Sequence, residues 1–138
     1  MIIKQLSVFL ENRPGTLVEA LGILKEGGVN IVALSLADTN EFGLLRVIVD
    51  KPEEAKAAMK ARGFTSILND VLMVHLLDQV GYLEKLVDTV SKAGINVEYM
   101  YAAPARKEGA DLVMKTSDLE GAAKVIGEAF PEAVDWLD

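Results

Sequence analysis

The sequence predicts an α+β fold built from two tandem ferredoxin-like βαββαβ units, each an antiparallel sheet carrying its helices on one face. Three observations predict it. Placing Gly81 under Gly15 sets an offset of 66 residues, and in that register LSVFLENRPGTL lies over LMVHLLDQVGYL and GGVNIV over AGINVE. Within each copy the apolar residues switch between a period of two and a helical period, the signature of alternating strands and helices. The length of 138 residues suits one domain of average size or two very small ones, and the repeat chooses two. The units are expected at residues 1–68 and 69–138.

In the first copy, Leu6, Val8 and Leu10 alternate with Gln5, Ser7 and Phe9, a strand with one buried face. Leu17, Ala20, Leu21 and Leu24 then follow at helical spacing, and Gly27-Gly28 supplies the stop. Asn30 to Ala37 and Leu44 to Asp50 read as two strands joined by the polar turn Asp38-Thr39-Asn40-Glu41. Pro52 to Arg62 is rich in Ala, Glu and Lys and opens with a proline suited to a first helical turn. Phe64 to Leu68 leads into a last strand. The second copy repeats this order through Leu83, Leu86, Val87 and Val90, with Gly109 aligned to Gly43 and Phe130 to Phe64. The face away from the helices carries Gln5, Ser7 and Phe9 in one copy and Val71, Met73, His75 and Leu77 in the other. Apolar residues on both faces of a sheet call for cover on both, within the chain or by a second copy, and cyclic dimers are the commonest assemblies. A homodimer is the expectation.

Composition narrows the function. The net charge of −7 and the excess of 21 acidic over 14 basic residues argue against nucleic acid. The imbalance is local: residues 1–66 hold 8 basic and 8 acidic side chains, residues 67–138 hold 6 and 13. A solvated acidic surface accounts for it. Without cysteine, disulfides and thiolate chemistry are excluded, and His75 as the single histidine leaves little for a metal site or a general base. No run approaches the roughly 20 apolar residues that cross a bilayer, and the N-terminus lacks the pattern of a leader. A cytoplasmic protein without cofactor, metal or catalytic residues is expected, with no membrane or nucleic-acid partner.

LENRPGTL, residues 10–17, compresses a strand end, a turn and a helix start into eight residues. Such a junction gathers free backbone N–H groups and the positive end of a helix dipole, a place that accepts an anion such as a carboxylate. Pro14 sets the angle of approach, Gly15 leaves room beside the backbone, and Asn12 adds an amide that donates and accepts. Asn30 follows eighteen residues later, across the intervening helix, a spacing compatible with both amides lying at one end of the unit. A folding account stands equally well on these residues, because Asn and Gly are common turn formers.

The run ENRPGTL, then LVEALGILKEGG and VNI, resembles the ACT domain, a ferredoxin-like module that binds amino acids and regulates metabolic enzymes. The resemblance covers nearly the whole chain as two copies and is more specific in the first. It implies a ligand at an interface between two ACT units, against the loop from first strand to first helix. Asn12 and Asn30 would then hold the amino and carboxylate groups, with Arg13, Pro14, Gly15, Thr16, Leu17 and Ile31 around them. The asparagine pair is similar to that of the serine-binding ACT domain of phosphoglycerate dehydrogenase, which has a histidine where this chain has Leu10. Asp78, Gly81, Tyr82, Leu83 and Asn96 are the matching candidates of the second copy. Asp78 replaces Asn12, suited to an ammonium and repelling a carboxylate. Tyr82 replaces Thr16, as a pocket wall or as packing. His75 reads as a packed histidine, Tyr99, Met100 and Tyr101 as core or interface, and Arg106 with Lys107 as a solvated pair.

The resemblance implies a stand-alone regulatory protein that binds an amino acid and signals to a target enzyme or transporter. The alternative is a structural or partner-binding module whose ligand site has degenerated, supported by Asp78 and Leu10. An enzyme is disfavoured, since the turn offers no base beside a nucleophile.

Overall fold

A computed structural model of the chain describes residues 1–38, 41–105 and 107–135. Thr39 and Asn40 of the expected first turn, and Arg106, lie outside them. The strands are β1 (Ile2–Glu11), β2 (Ile31–Asp38), β3 (Phe42–Val49), β4 (Thr65–Leu76), β5 (Val97–Ala103) and β6 (Ala110–Thr116). The helices are α1 (Thr16–Glu26), α2 (Pro52–Ala61), α3 (Tyr82–Lys92), α4 (Leu119–Ala129) and the single turn α5 (Glu132–Asp135). The described residues pack as two compact units: Lys4–Asn69, and a second made of Met1–Ile3 with the residues from Asp70 onward.

In the first unit the strands run in the order β2-β3-β1-β4, with β3 antiparallel to both β1 and β2. The α1 crossover therefore skips over β3, the split βαβ arrangement of a ferredoxin-like sheet. Alternation decides which face is buried: Leu6, Val8 and Leu10 of β1 join Leu45, Val47 and Val49 of β3 in one core. Ala20, Ile23 and Leu24 of α1 and Ala55 and Met59 of α2 cover that face. Pro52 stands at the first position of α2, where a missing N–H costs nothing.

The second unit has its own core of Leu72 and Val74 on β4, Leu112 and Met114 on β6, Leu86 and Val90 on α3, and Ala122 and Ile126 on α4. β6 pairs antiparallel with both β4 and β5. Its remaining strand comes from the start of the chain. Met73 N donates to Met1 O at 2.8 Å, and the Met1 amine donates to Met73 O at 3.1 Å. After Phe130 the chain turns into α5, whereas the first copy enters β4 after Phe64. Pro131, at the position of Thr65, has no N–H to give a ladder and is poorly suited to start a paired strand.

The 66-residue register does not run through without a gap. Leu36 pairs with Leu45 in the first copy and Ala102 with Leu112 in the second, so the third strands correspond at 67. One extra residue between β5 and β6 causes the shift, and Ala110, opposite Leu76, is the counterpart of Gly43, opposite Leu10. Gly63, between α2 and Phe64, restores 66 at Phe64 and Phe130.

On the face away from the helices, Gln5, Ser7, Val71, Met73, His75, Asp111 and Val113 are all buried in the single chain. Exposed apolar side chains are spread over both units: Leu34 at 50% and Leu36 at 49% on β2, which ends the strand order, Val18 of α1 at 71%, and in the other unit Val80, Leu83 and Met100.

Gly109 has φ +111°, and a Cβ built there would overlap the Leu76 carbonyl oxygen and press on the His75 ring. Gly109→Ala is expected to lower unfolding stability by more than about 1 kcal/mol. Gly22→Ala, inside α1 where a Cβ meets nothing within 4 Å, is expected to raise it by about 0.5–1 kcal/mol. Urea midpoints at unchanged slope measure both.

Candidate functional site

The junction between β1 and α1 is organised by its own backbone. Arg13 N donates to Glu11 O at 2.9 Å, and Glu19 N donates to Gly15 O at 3.0 Å, the first bond of the helix. Buried Thr16 turns its hydroxyl inward, with Oγ1 at 2.7 Å from Glu11 O and 3.1 Å from Arg13 O. Gly15 caps the helix at φ +95° without any side-chain hydrogen bond to the first turn. The space beside its Cα is open, so the backbone angle, not crowding, is what demands glycine. Thr16 N reaches Arg13 O at 3.5 Å, and the next amides of the first turn are left for solvent or a ligand.

In front of this turn lies a cleft of about 300 Å³, lined by Leu10, Glu11, Asn12, Arg13, Thr16 and Leu17 on one side. Leu36, Ala37, Asp38 and Gly43 line the other. Strand pairing sets the two sides together, because Gly43 is opposite Leu10 on one flank and Asp38 on the other. Asn12 Nδ2 donates to Asp38 Oδ1 at 3.5 Å, and Arg13 Nε to Glu11 Oε2 at 2.9 Å. The cleft therefore offers a carboxylate, a side-chain amide, a guanidinium and uncapped backbone N–H groups above an apolar floor. That set can hold an ammonium and a carboxylate at once.

Asn30 is not part of it. Ile31 pairs with Val49 while Asp38 pairs with Gly43, so Asn30 and Asn12 sit at opposite ends of β2, about 25 Å apart at the rise of a strand. The shared-end expectation is corrected here: β2 runs back alongside α1, and a residue before the strand starts at the far end. Asn30 N donates to Asp50 Oδ1 at 2.9 Å, and Asn30 and Ile31 border a separate hollow beside Leu21 and Leu24. Pro14 is exposed in the turn, between Arg13 and Gly15.

The second copy reproduces the turn but not the cleft residues. Gln79 N donates to Leu77 O, Lys85 N donates to Gly81 O, and Gly81 has φ +84° with no side-chain cap. Folding alone thus accounts for glycine at both positions. Asp78 and Leu83 are exposed, and Asn96 repeats the backbone role of Asn30, its N–H donating to Ser117 Oγ at 2.9 Å. Tyr82 differs most. Its ring is buried in the core, edge-on to Phe130 at 5.3 Å, and its hydroxyl donates to Glu132 Oε1 at 2.8 Å. Burial, the hydrogen bond to Glu132 and its negative charge push the Tyr82 pKa well above the ordinary phenol value. His75 is buried against Asp111, Nδ1 to Oδ1 2.8 Å, as a packed histidine would be.

Sequence reading missed Leu36, Ala37, Asp38 and Gly43. Their signal lies in register: an apolar strand ending in Asp38, whose neighbour across a hairpin is a glycine facing Leu10. Among the described residues no cluster of His, Asp and Glu could hold a metal ion, and no helix is long and apolar enough to cross a membrane.

Comparison with known proteins places these features in context. A family model described as an ACT domain pair matches residues 1–134. The small subunit of acetolactate synthase isozyme 3 from Escherichia coli K12 is 32% identical over 80 residues, 58% of this chain and 49% of the relative. The same subunit from Salmonella typhimurium LT2 matches equally. The chain spans about half the length of these curated relatives. Among solved structures, protein BT0572 from Bacteroides thetaiotaomicron is 35% identical with a TM-score of 0.87, over 94% of this chain and 89% of that one. The ligand-free regulatory subunit of aspartate kinase from Thermus thermophilus shares the fold at 18% identity and a TM-score of 0.65, over 94% and 97%.

The raised pKa of Tyr82 has a consequence for alkaline stability. Its neutral form is favoured by folding, so its contribution is whole below the unfolded phenol pKa of about 10 and falls away as pH rises beyond it. Tyr82→Phe is expected to cost about 1 kcal/mol at neutral pH and to flatten the loss of stability above about pH 10. Equal slopes for the two proteins in urea unfolding at alkaline pH would refute this.

Proposed function

We propose, on the premise that this chain belongs to the ACT domain pair family, that it is a regulatory protein whose first unit binds a free amino acid. The observation that carries the reading is the uncapped start of α1 opening onto a cleft that also holds Asn12 and Asp38. Asp38 takes the ammonium, the first-turn amides and Asn12 take the carboxylate, and Leu10, Leu17 and Leu36 receive the side chain. Dipole and hydrogen bonds act together, so selectivity for the amino-acid head needs no metal or cofactor.

Asn30 enters through a second copy. β2 is an outer strand with unpaired backbone groups and exposed Val32, Leu34 and Leu36, a surface that calls for cover. Antiparallel pairing of β2 with the β2 of a partner subunit would set the partner's Asn30 against the Asp38 end. The homodimer then completes the ligand site, and ligand occupancy alters how the copies hold together. The second unit, with Asp78 and buried Tyr82 in place of Asn12 and Thr16, suits the alternative role of a partner-binding module with a degenerate site. Regulation, not catalysis, is the output. Thr16 commits its hydroxyl to the backbone, and the cleft has no histidine. The listener is an enzyme or transporter of amino-acid metabolism, the cytoplasm is the compartment, and neither nucleic acid nor membrane takes part.

The test is thermal unfolding of the dialysed protein against single amino acids. A ligand at 100 times its dissociation constant adds about 2.7 kcal/mol, a shift of several degrees for a chain of this size. The shift is expected to vanish in Asn12→Ala and Asp38→Asn with little loss of basal stability. No shift from any amino acid would sink the reading. For the dimer, Leu34→Glu with Leu36→Glu is expected to give a monomer by light scattering and to weaken ligand binding; an unchanged mass would remove the β2 edge from the account.

A further inference from the structure

A second cleft, also of about 300 Å³, opens on the other side of the β1–α1 turn, between Thr16 and Glu19 of the first helical turn and Arg62, Gly63 and Phe64 after α2. Phe9 and Thr65 close its base. The second copy holds its own answer to what fills such a place. Tyr82 stands at the position of Thr16 and Phe130 at that of Phe64, and the Tyr82 ring lies edge-on to Phe130, its centroid 5.3 Å away. Two residues beyond Phe130, Glu132 accepts the phenol hydrogen bond. In the first copy the small Thr16 turns its hydroxyl into the backbone of Glu11 and Arg13, and both Thr16 and Phe64 line an open cleft.

We propose that this cleft of the first unit binds a single-ring aromatic molecule in the place Tyr82 fills in the second. Phe64 offers the ring the same edge-to-face partner that Phe130 gives Tyr82, an arrangement aromatic pairs prefer. The cleft has room for one ring, and because Glu11, Arg13, Thr16, Glu19, Arg62 and Thr65 make most of its lining polar, the ring must carry a polar substituent. The charged lining selects the substituent. Arg13 and Arg62 face Glu11 and Glu19 around the opening, so the lining is balanced, and a neutral phenol or a zwitterion fits where a net anion or cation gains nothing. Arg13 and Arg62 each use one N–H on a glutamate, Glu11 at 2.9 Å and Glu26 at 3.0 Å, of the five a guanidinium carries.

The site opens on the other side of the turn from the amino-acid cleft and shares Glu11, Arg13 and Thr16 with it, so the two are told apart by the residues that only one of them has: Phe9, Gly63, Phe64 and Thr65 here, Leu36, Ala37 and Gly43 there. The probe is p-cresol, the tyrosine side chain without its backbone, titrated into the ¹⁵N-labelled full chain to about 10 mM, above the millimolar affinity within reach of so small a ligand. Saturable shifts are expected at the amides of Phe9, Gly63, Phe64 and Thr65, with Leu36, Ala37 and Gly43 of the first cleft unmoved. Thr16→Tyr, which supplies the ring covalently, is expected to abolish them. Tyr82→Ala is expected to add a second set at Ala129 and Phe130; should that variant not fold, the titrations of the wild type and Thr16→Tyr decide alone. No saturable shift, shifts centred on Leu36, Ala37 and Gly43, or an undiminished response in Thr16→Tyr would each overturn the proposal. An amino-acid titration read at Leu36, Ala37 and Gly43 tests the first cleft independently.

Discussion

Gly43 is the residue through which the first unit's chemistry is assembled. It pairs with Leu10 on one flank and with Asp38 on the other, which is possible only because β3 is threaded between β1 and β2. That threading brings the end of the first strand and the end of the second to one rim, although 28 residues separate Leu10 from Asp38 along the chain. Everything polar in the cleft follows from it. The turn after β1 offers Asn12 and the helix start, and the end of β2 brings the acid.

Much of this was legible in the sequence. Alternation at Leu6, Val8 and Leu10, helical spacing at Ala20 and Leu24, and a proline at the head of α2 each report a local preference that burial then enforces. The turn itself was legible as a junction, and its uncapped helix start is what the sequence led one to expect. Asp38 and Leu36 escaped notice because cross-strand neighbours depend on register, which a turn of uncertain length leaves open by a residue. Asn30 was misread for a related reason: distance along a helix says how far the chain has travelled, not whether the next strand begins near or far. The single extra residue between β5 and β6 is invisible in a glycine-to-glycine alignment, since Gly43 and Gly109 match in type while serving different positions. Only pairing opposite Leu10 and Leu76 separates them.

The two copies have diverged in the way that duplicated units can when one keeps a site open and the other does not. Thr16 and Tyr82 start equivalent helices behind glycines of nearly the same φ, yet one ends in a hydroxyl bonded to its own turn and the other in a ring built into the core. Phe9 and His75 occupy the same strand position, and the second brings a buried partner, Asp111, with it. Val18, Leu34 and Leu36 leave an apolar outer edge in the first copy, where the second has Glu84, Met100 and Ala102. Glu84 is polar and Ala102 smaller than their counterparts Val18 and Leu36, while Met100 stays apolar and 41% exposed, and the net acidity gathers in the second copy.

The bond between Met1 and Met73 joins residues 72 positions apart in the sequence. Lys4–Asn69 contains every strand its own sheet requires and can close while the rest of the chain is still being synthesised, whereas the later unit must capture a segment that has already emerged. Such a long-range closure is slow compared with local pairing. It implies a vectorial order of maturation in which Lys4–Asn69 closes first and residues 1–3 wait for the chain that follows Asp70.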